Sequence, residues 1–216
     1  MAQIDATKHI HFVHDIGMFA WERSRKSCVH RSKFCAANCY NKKLYWTFPN
    51  MVKQESLLDE AWDTFDYANL RRELLNKHKQ TKRVRGCTRG ENFKDADDVI
   101  KMYYIVMLNP DTVFWLPTRA WRDTSLKQHI EKTIMKLPNA RVQASMDPSN
   151  TLADWYMVIN RGWSTMFFGD DDMLETPLGN RMIKCQKTHK HLKGVCATCK
   201  RGCFSANQNH VHLKQH

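Results

Sequence analysis

Hydrophobic and polar positions alternate along this chain in two periods, and the period changes several times. Between residues 51 and 78, Leu57, Leu58, Ala61, Trp62, Phe65, Ala68, Leu70 and Leu74 recur at helical spacing, which predicts one helix over that range. Arg83–Cys87 is a short strand candidate that runs into a glycine turn. Residues 94–108 read as a second helix, with Asp95, Asp97 and Asp98 in its first turns, where the positive end of the helix dipole favours acids. Asn109-Pro110 ends it. Residues 112–118 are β-branched and aromatic, the composition of a buried strand. A third helix is expected from Ser125 to Leu137, capped by Thr124 or Ser125 and closed by Pro138. Residues 140–146 alternate as a strand, and Ser164–Phe168 and Met182–Cys185 are shorter strand candidates.

The middle of the chain therefore reads β-α-β-α-β. Strands alternating with helices of this length imply parallel pairing through right-handed crossovers. The expected fold class is α/β, either a partial β/α barrel or an open sheet. In both, function gathers at the C-terminal ends of the strands. The loops expected there are polar: Thr88-Arg89-Gly90-Glu91, Thr118-Arg119, Asp147-Pro148-Ser149-Asn150 and Gly169-Asp170-Asp171-Asp172. Trp62, Phe65, Trp115 and Trp155 are assigned to the core, and Asp170–Asp172 to a solvated loop. No GxxxxGK[ST] phosphate loop, GxGxxG fingerprint or internal repeat is present.

Cysteine changes the picture. The chain of 216 residues carries 8 cysteines, and 7 of them fall into two groups. Cys28, Cys35 and Cys39 form the first; Cys185, Cys196, Cys199 and Cys203 form the second. No apolar stretch approaches the roughly 20 residues of a membrane span, and the His-rich start lacks the pattern of a secretory signal. A cytoplasmic setting is thus expected, where grouped cysteines bind metal or do redox chemistry rather than form disulfides. Cys196-Ala-Thr-Cys199 is a CxxC knuckle. With Cys203 and Cys185 it offers four thiolates, suited to tetrahedral zinc or an iron–sulfur cluster. Three thiolates at Cys28, Cys35 and Cys39 would leave one iron of a 4Fe-4S cluster open for chemistry; the alternatives are recruitment of Cys87 or His30 as a further ligand, completion by the C-terminal cysteines folding over the group, or a zinc staple that pins the loop. Cys87 alone reads as a small buried core residue. The histidines at 9, 11, 14, 210, 212 and 216 are assigned to disordered tails. Residues 1–180 are expected to form the barrel, and 181–216 a cysteine-rich metal-binding segment with a basic tail.

Charge adds a second clue. Lys and Arg number 34 against 22 acids, a formal net charge of +12. Three stretches carry the excess: Trp21–Tyr45, Arg71–Arg89 and Arg181–His216, the last without any acid. Such cations would hold anionic thiolate clusters or an anionic cofactor, or would bind nucleic acid.

A set of short sequences, in order, carries a resemblance. Cys28-x6-Cys35-x3-Cys39-Tyr40, a strand ending in Arg89-Gly90-Glu91, Asn109-Pro-Asp-Thr-Val-Phe-Trp115, Arg141-Val-Gln-Ala-Ser-Met-Asp147 and the terminal CxxCxxxC resemble the phage gene product 88-type family over roughly residues 20–205. That family is itself similar to radical S-adenosylmethionine enzymes with a reduced barrel. The resemblance implies an iron–sulfur cluster on Cys28, Cys35 and Cys39, with Lys42 standing where such enzymes carry another cysteine. It implies that Gly90 and Glu91 lie against S-adenosylmethionine, with Glu91 on its amino group, and that the C-terminal cysteines hold an auxiliary cluster. A phage-encoded protein of this kind would work in the host cytoplasm. The rival expectation is a non-enzymatic zinc-stapled protein binding nucleic acid or a host nucleic-acid-processing protein. A nuclease-like use of Asp147 or Asp170–Asp172 with a divalent ion is a third.

Overall fold

The structure, a computed structural model, describes residues 10–13, 17–39, 50–77, 82–169, 173–189, 196, 198–206 and 209–214. Tyr40–Trp46, Asp170–Asp172, His9, His14, His191 and His216 lie outside them. Eight strands form one sheet: β1 (His11–Val13), β2 (Met18–Ala20), β3 (Arg83–Arg85), β4 (Val113–Thr118), β5 (Ala140–Met146), β6 (Ser164–Gly169), β7 (Met182–Lys184) and β8 (His210–Lys214). Their order is β1-β2-β3-β4-β5-β6-β8-β7. Among the described strands the β1–β2 pairing is antiparallel, and β2 to β8 run parallel to one another.

From β2 to β6 the strands follow one another in both sequence and space, so the sheet winds in one direction. Right-handed crossovers then place the helices on a single face. The sheet curls into a partial β/α barrel, as expected for the α/β class. Side-chain alternation confirms the two faces. Phe114, Leu116, Val142, Ala144 and Phe167 join the main core with Val99, Met102, Ile130, Ile134, Trp155 and Val158 from the helices. The alternate positions Met18, Trp115 and Met166 face inward and meet Phe204 in a separate cluster.

Six helices are described: α1 (Lys33–Ala37), α2 (Asn50–Asp63), α3 (Tyr67–Lys77), α4 (Ala96–Met107), α5 (Thr124–Lys132) and α6 (Leu152–Asn160). The Asp95 carboxylate caps α4 by accepting from the Asp98 amide at 3.0 Å. The single helix expected over 51–78 is two. Asp66 accepts from the amides of Ala68 (2.9 Å) and Asn69 (3.0 Å), which starts a new helix where one would have continued. The helix expected to reach Leu137 ends at Lys132, because Thr133 leaves helical backbone (φ −118°, ψ −83°) and a short 3-10 turn follows. Its cap is Asp123, not Thr124 or Ser125.

The C-terminal tail is also corrected. His210–Lys214 is not disordered but is strand β8, paired in parallel with both β6 and β7, and His11, assigned with them to a disordered tail, lies in strand β1 opposite Ala20. His212 is fully buried and His189 nearly so, their rings packed edge to face at 4.9 Å. Residues 181–216 thus supply two strands to the common sheet. Trp62, Trp115, Trp155 and Cys87 are buried as expected, and Phe65 packs partly buried against the core. Among the described residues no helix is long and apolar enough to cross a membrane.

Candidate cysteine site at the strand ends

The chain leaves β2 and forms the first cysteine loop directly over the C-terminal ends of the strands. Arg23 anchors that loop: it is buried, pairs with Asp98, lies 4.6 Å from the Trp62 ring and donates to the Glu91 carbonyl at 3.3 Å. Trp62 Nε1 donates to the other Asp98 oxygen at 2.7 Å. Helix α2 holds the next turn, with Glu55 accepting from the Arg25 amide at 2.7 Å. Glu22 pairs with Arg89 and accepts from the Thr88 hydroxyl, tying the loop to the segment after β3.

This anchoring brings the three cysteines to one place. Arg25, Cys28, Arg31, Cys35, Ala36 and Cys39 line a single cavity of about 100 Å³. Burial, then Glu91, Cys35 and Cys39, push the Cys28 thiol up to about 12, against the pull of Arg31. Burial also raises Cys35, with Arg119 opposing it most strongly. His30 is turned elsewhere, pairing with the Lys94 carbonyl at 3.0 Å. Cys87 lies behind the loop at φ +24°, the only non-glycine residue with positive φ among those described.

Asp147, at the end of β5, organises the cavity's cationic side. It is fully buried. It accepts from the Ser32 hydroxyl at 2.6 Å, the Ser149 hydroxyl at 2.5 Å and the Ser149 amide at 3.1 Å. Arg119 and Arg122 approach it at 3.4 and 3.9 Å. Burial acts to raise its pKa, but the Ser149 and Ser32 hydrogen bonds and Arg119 outweigh that and lower it. Ser32 also accepts from the Cys35 amide at 2.9 Å as the cap of α1. One carboxylate therefore positions both the helix bearing Cys35 and two guanidinium groups beside it. The nuclease-like expectation named Asp147 but not this role, and Arg25, Arg31, Arg122 and Ser32 were not singled out from sequence. The available signal was the Asp-Pro-Ser-Asn turn after a strand, which is built to hold such bonds.

Gly90 and Glu91 lie against the loop at Arg23 and Ser27, where the Ser27 hydroxyl accepts from the Glu91 amide at 2.8 Å. Gly90 has φ +80°, and a Cβ there would fall 2.7 Å from the Arg23 carbonyl and 2.8 Å from Ser27 Oγ, so the close approach requires glycine. Glu91 is buried. Its carboxylate accepts from the amides of Asn92 and Arg119, both at 2.8 Å. Burial raises its pKa against these bonds.

The C-terminal cysteines occupy a second place, on the concave face of the sheet. The Cys185 amide donates to the His212 carbonyl at 2.9 Å, and Arg83 donates to the Cys199 carbonyl at 2.6 Å. Cys196 and Cys203 pack against the inward cluster of Met18, Trp115, Met166 and Phe204. Gly202 at φ +63° lets the chain press on Val211, whose Cγ2 would lie 2.6 Å from a Cβ. Burial, then Cys185, raise Cys196 to about 11, with Arg85 opposing. Burial, Cys185 and Cys196 raise Cys203. Each cysteine group thus acts electrostatically within itself. Among the described residues, no group of three or more His, Cys, Asp or Glu is placed, as it stands, to hold a metal ion.

The family model described as Gene product 88 matches residues 16–202, which include β2 through β7 and all the cysteines but Cys203. Neither a curated protein nor a solved structure matches the chain. With most of its length matched, including the cysteine loop over the strand ends, the chain belongs to the gene product 88 family.

Proposed function

We propose that this gene product 88 protein is an iron–sulfur protein, with a cluster held by Cys28, Cys35 and Cys39 at the mouth of the partial barrel and used in radical S-adenosylmethionine-like chemistry. The observation that carries the reading is three thiols on one cavity at the C-terminal ends of parallel strands, the position where such folds do their chemistry. Such a cluster, when bound, supplies one electron to S-adenosylmethionine. The chain's own residues do the positioning. Arg25 and Arg31 on the cavity wall, with Arg119 beside Cys35, offset thiolate charge. Asp147 fixes Arg119 and, through Ser32, the helix that carries Cys35. Gly90 and Glu91 are the residues we assign to the S-adenosylmethionine side. Cys185, Cys196, Cys199 and Cys203 would hold a second centre, iron–sulfur or zinc, that fastens the C-terminal segment to the concave face.

The test is anaerobic purification and reconstitution with iron and sulfide, followed by metal analysis and electron paramagnetic resonance. The wild type should bind iron and sulfide. A C28A/C35A/C39A variant should lose the iron of the first centre and keep that of the second, unless the second holds zinc. A colourless protein with one or two zinc ions and no iron would refute the reading.

A further inference from the structure

A second cavity lies at the opposite end of the barrel from the cysteine loop, where β5 and β6 begin. Its volume is about 250 Å³. Arg141 is its central cation. In the sheet register Arg141 stands opposite Trp115, an inward-facing residue, so its side chain points to the concave face. Arg141 Nη1 donates to the carbonyls of Pro138 and Ala140 at 2.7 and 2.8 Å, which fixes the guanidinium on the cavity wall. Its Nε is buried and has no hydrogen-bond partner. Among the described residues no acid lines the cavity, whereas Lys136 adds a second cation. Burial lowers the Arg141 pKa, and among the described residues no carboxylate acts to raise it. The neighbouring polar walls are already committed: Gln143 accepts from Trp115 Nε1 at 2.7 Å and donates to the Asn209 carbonyl at 2.9 Å, and Ser164 donates to the Val142 carbonyl at 3.2 Å.

A guanidinium that is held in place, partly desolvated and without an acid is an arrangement that an anion completes. With Nη1 taken by the two carbonyls and Nε buried, Nη2 and the guanidinium charge are what an oxygen of a phosphate or carboxylate meets. We propose that this cavity binds a small oxyanion, a phosphate group or a carboxylate, on Arg141 and Lys136. The cavity volume limits the ligand to a small one. Cys203 also lines the cavity, so the ligand would sit next to the C-terminal cysteine segment and remote from Cys28, Cys35 and Cys39.

The experiment is isothermal titration of the full-length chain at low salt with inorganic phosphate, glycerol 3-phosphate and acetate in turn. At least one should bind the wild type. Arg141→Gln should weaken that ligand roughly tenfold or more, the effect of losing a charge-assisted hydrogen bond, and Lys136→Ala, at an exposed position, should weaken it by a smaller factor. Arg72→Ala, at an exposed position on α3, should leave it unchanged. Whichever ligand shows this pattern identifies the oxyanion. Absence of binding by all three at millimolar concentration, or binding indifferent to both Arg141→Gln and Lys136→Ala, would overturn the proposal. Metal loading of the cysteine site is read separately, by iron and sulfide analysis, so the two proposals fail independently.

Discussion

Replacing Asp147 with asparagine should loosen the first cysteine loop from the barrel. The side chain is fully buried and accepts from Ser32 and Ser149 while facing Arg119 and Arg122. Removing one member of a buried, hydrogen-bonded charge pair costs roughly 3–5 kcal/mol. Arg119 and Arg122 retain 12% and 23% side-chain exposure, so water relieves part of their lost pairing and the low end, about 3 kcal/mol, is expected. For a chain of this size that is a fall in Tm of roughly 6–12 °C. The assay is urea denaturation at a series of pH values, wild type against Asp147→Asn. The folded pKa of Asp147 is lowered, so its contribution is fully present above the unfolded value of about 3.9 and is lost as pH falls through the lower folded value. The two proteins should therefore differ most near neutrality and converge under strong acid. Equal stability at neutral pH, or a gap that persists undiminished in acid, would refute the account.

Gly90→Ala should destabilise by about 1–3 kcal/mol in thermal denaturation, since the backbone is at φ +80° and the added Cβ meets the Arg23 carbonyl. Trp121→Ala should cost about 3–5 kcal/mol by the same measurement, because the indole is 1% exposed and donates to the Ser145 carbonyl at 3.1 Å. His210 has its pKa lowered by burial, so its neutral form supports the fold above the unfolded value of about 6.5 and the contribution disappears as pH falls below it. The wild type should thus lose more stability than His210→Gln on acidification from neutral to pH 5, measured by denaturation at both values.

How much of this was legible in the sequence depended on how local each signal is. Helix α4 and strands β4 and β5 were readable because their apolar periods are long and their ends are marked by Asp95, Asn109-Pro110 and Pro138. Helix α6 was missed although Thr151 and Asp154 form a complete capping box. Strand β8 was missed because His210-Val-His-Leu-Lys214 carries polar residues on the face turned to the main core, where His212 is nonetheless buried. Cysteine spacing put Cys28, Cys35 and Cys39 in one group, and the fold brings those three to one cavity. The Asp147–Ser32 bond joins residues 115 positions apart, and no local pattern announces a contact of that separation.

The net charge of +12 takes a different meaning once the side chains are placed. Arg23 and Arg89 pair with Asp98 and Glu22 inside the loop support. Arg83 turns to the Cys199 carbonyl and Arg85 lies 4.7 Å from the Trp115 ring, both within the concave face. Arg119 and Arg122 are held by Asp147. These six guanidinium groups are committed to the interior, four of them to acids and two to the wall that carries the second cysteine group. Four of the six, Arg23, Arg83, Arg85 and Arg89, come from the basic stretches Trp21–Tyr45 and Arg71–Arg89, and these four are turned inward rather than spread over the accessible surface that a phosphate backbone contacts. The physical reason is the same at both cysteine groups: thiols that raise one another's pKa need positive charge nearby if they are to be ionised together, and the fold supplies it from residues whose sequence positions only the curled sheet brings together.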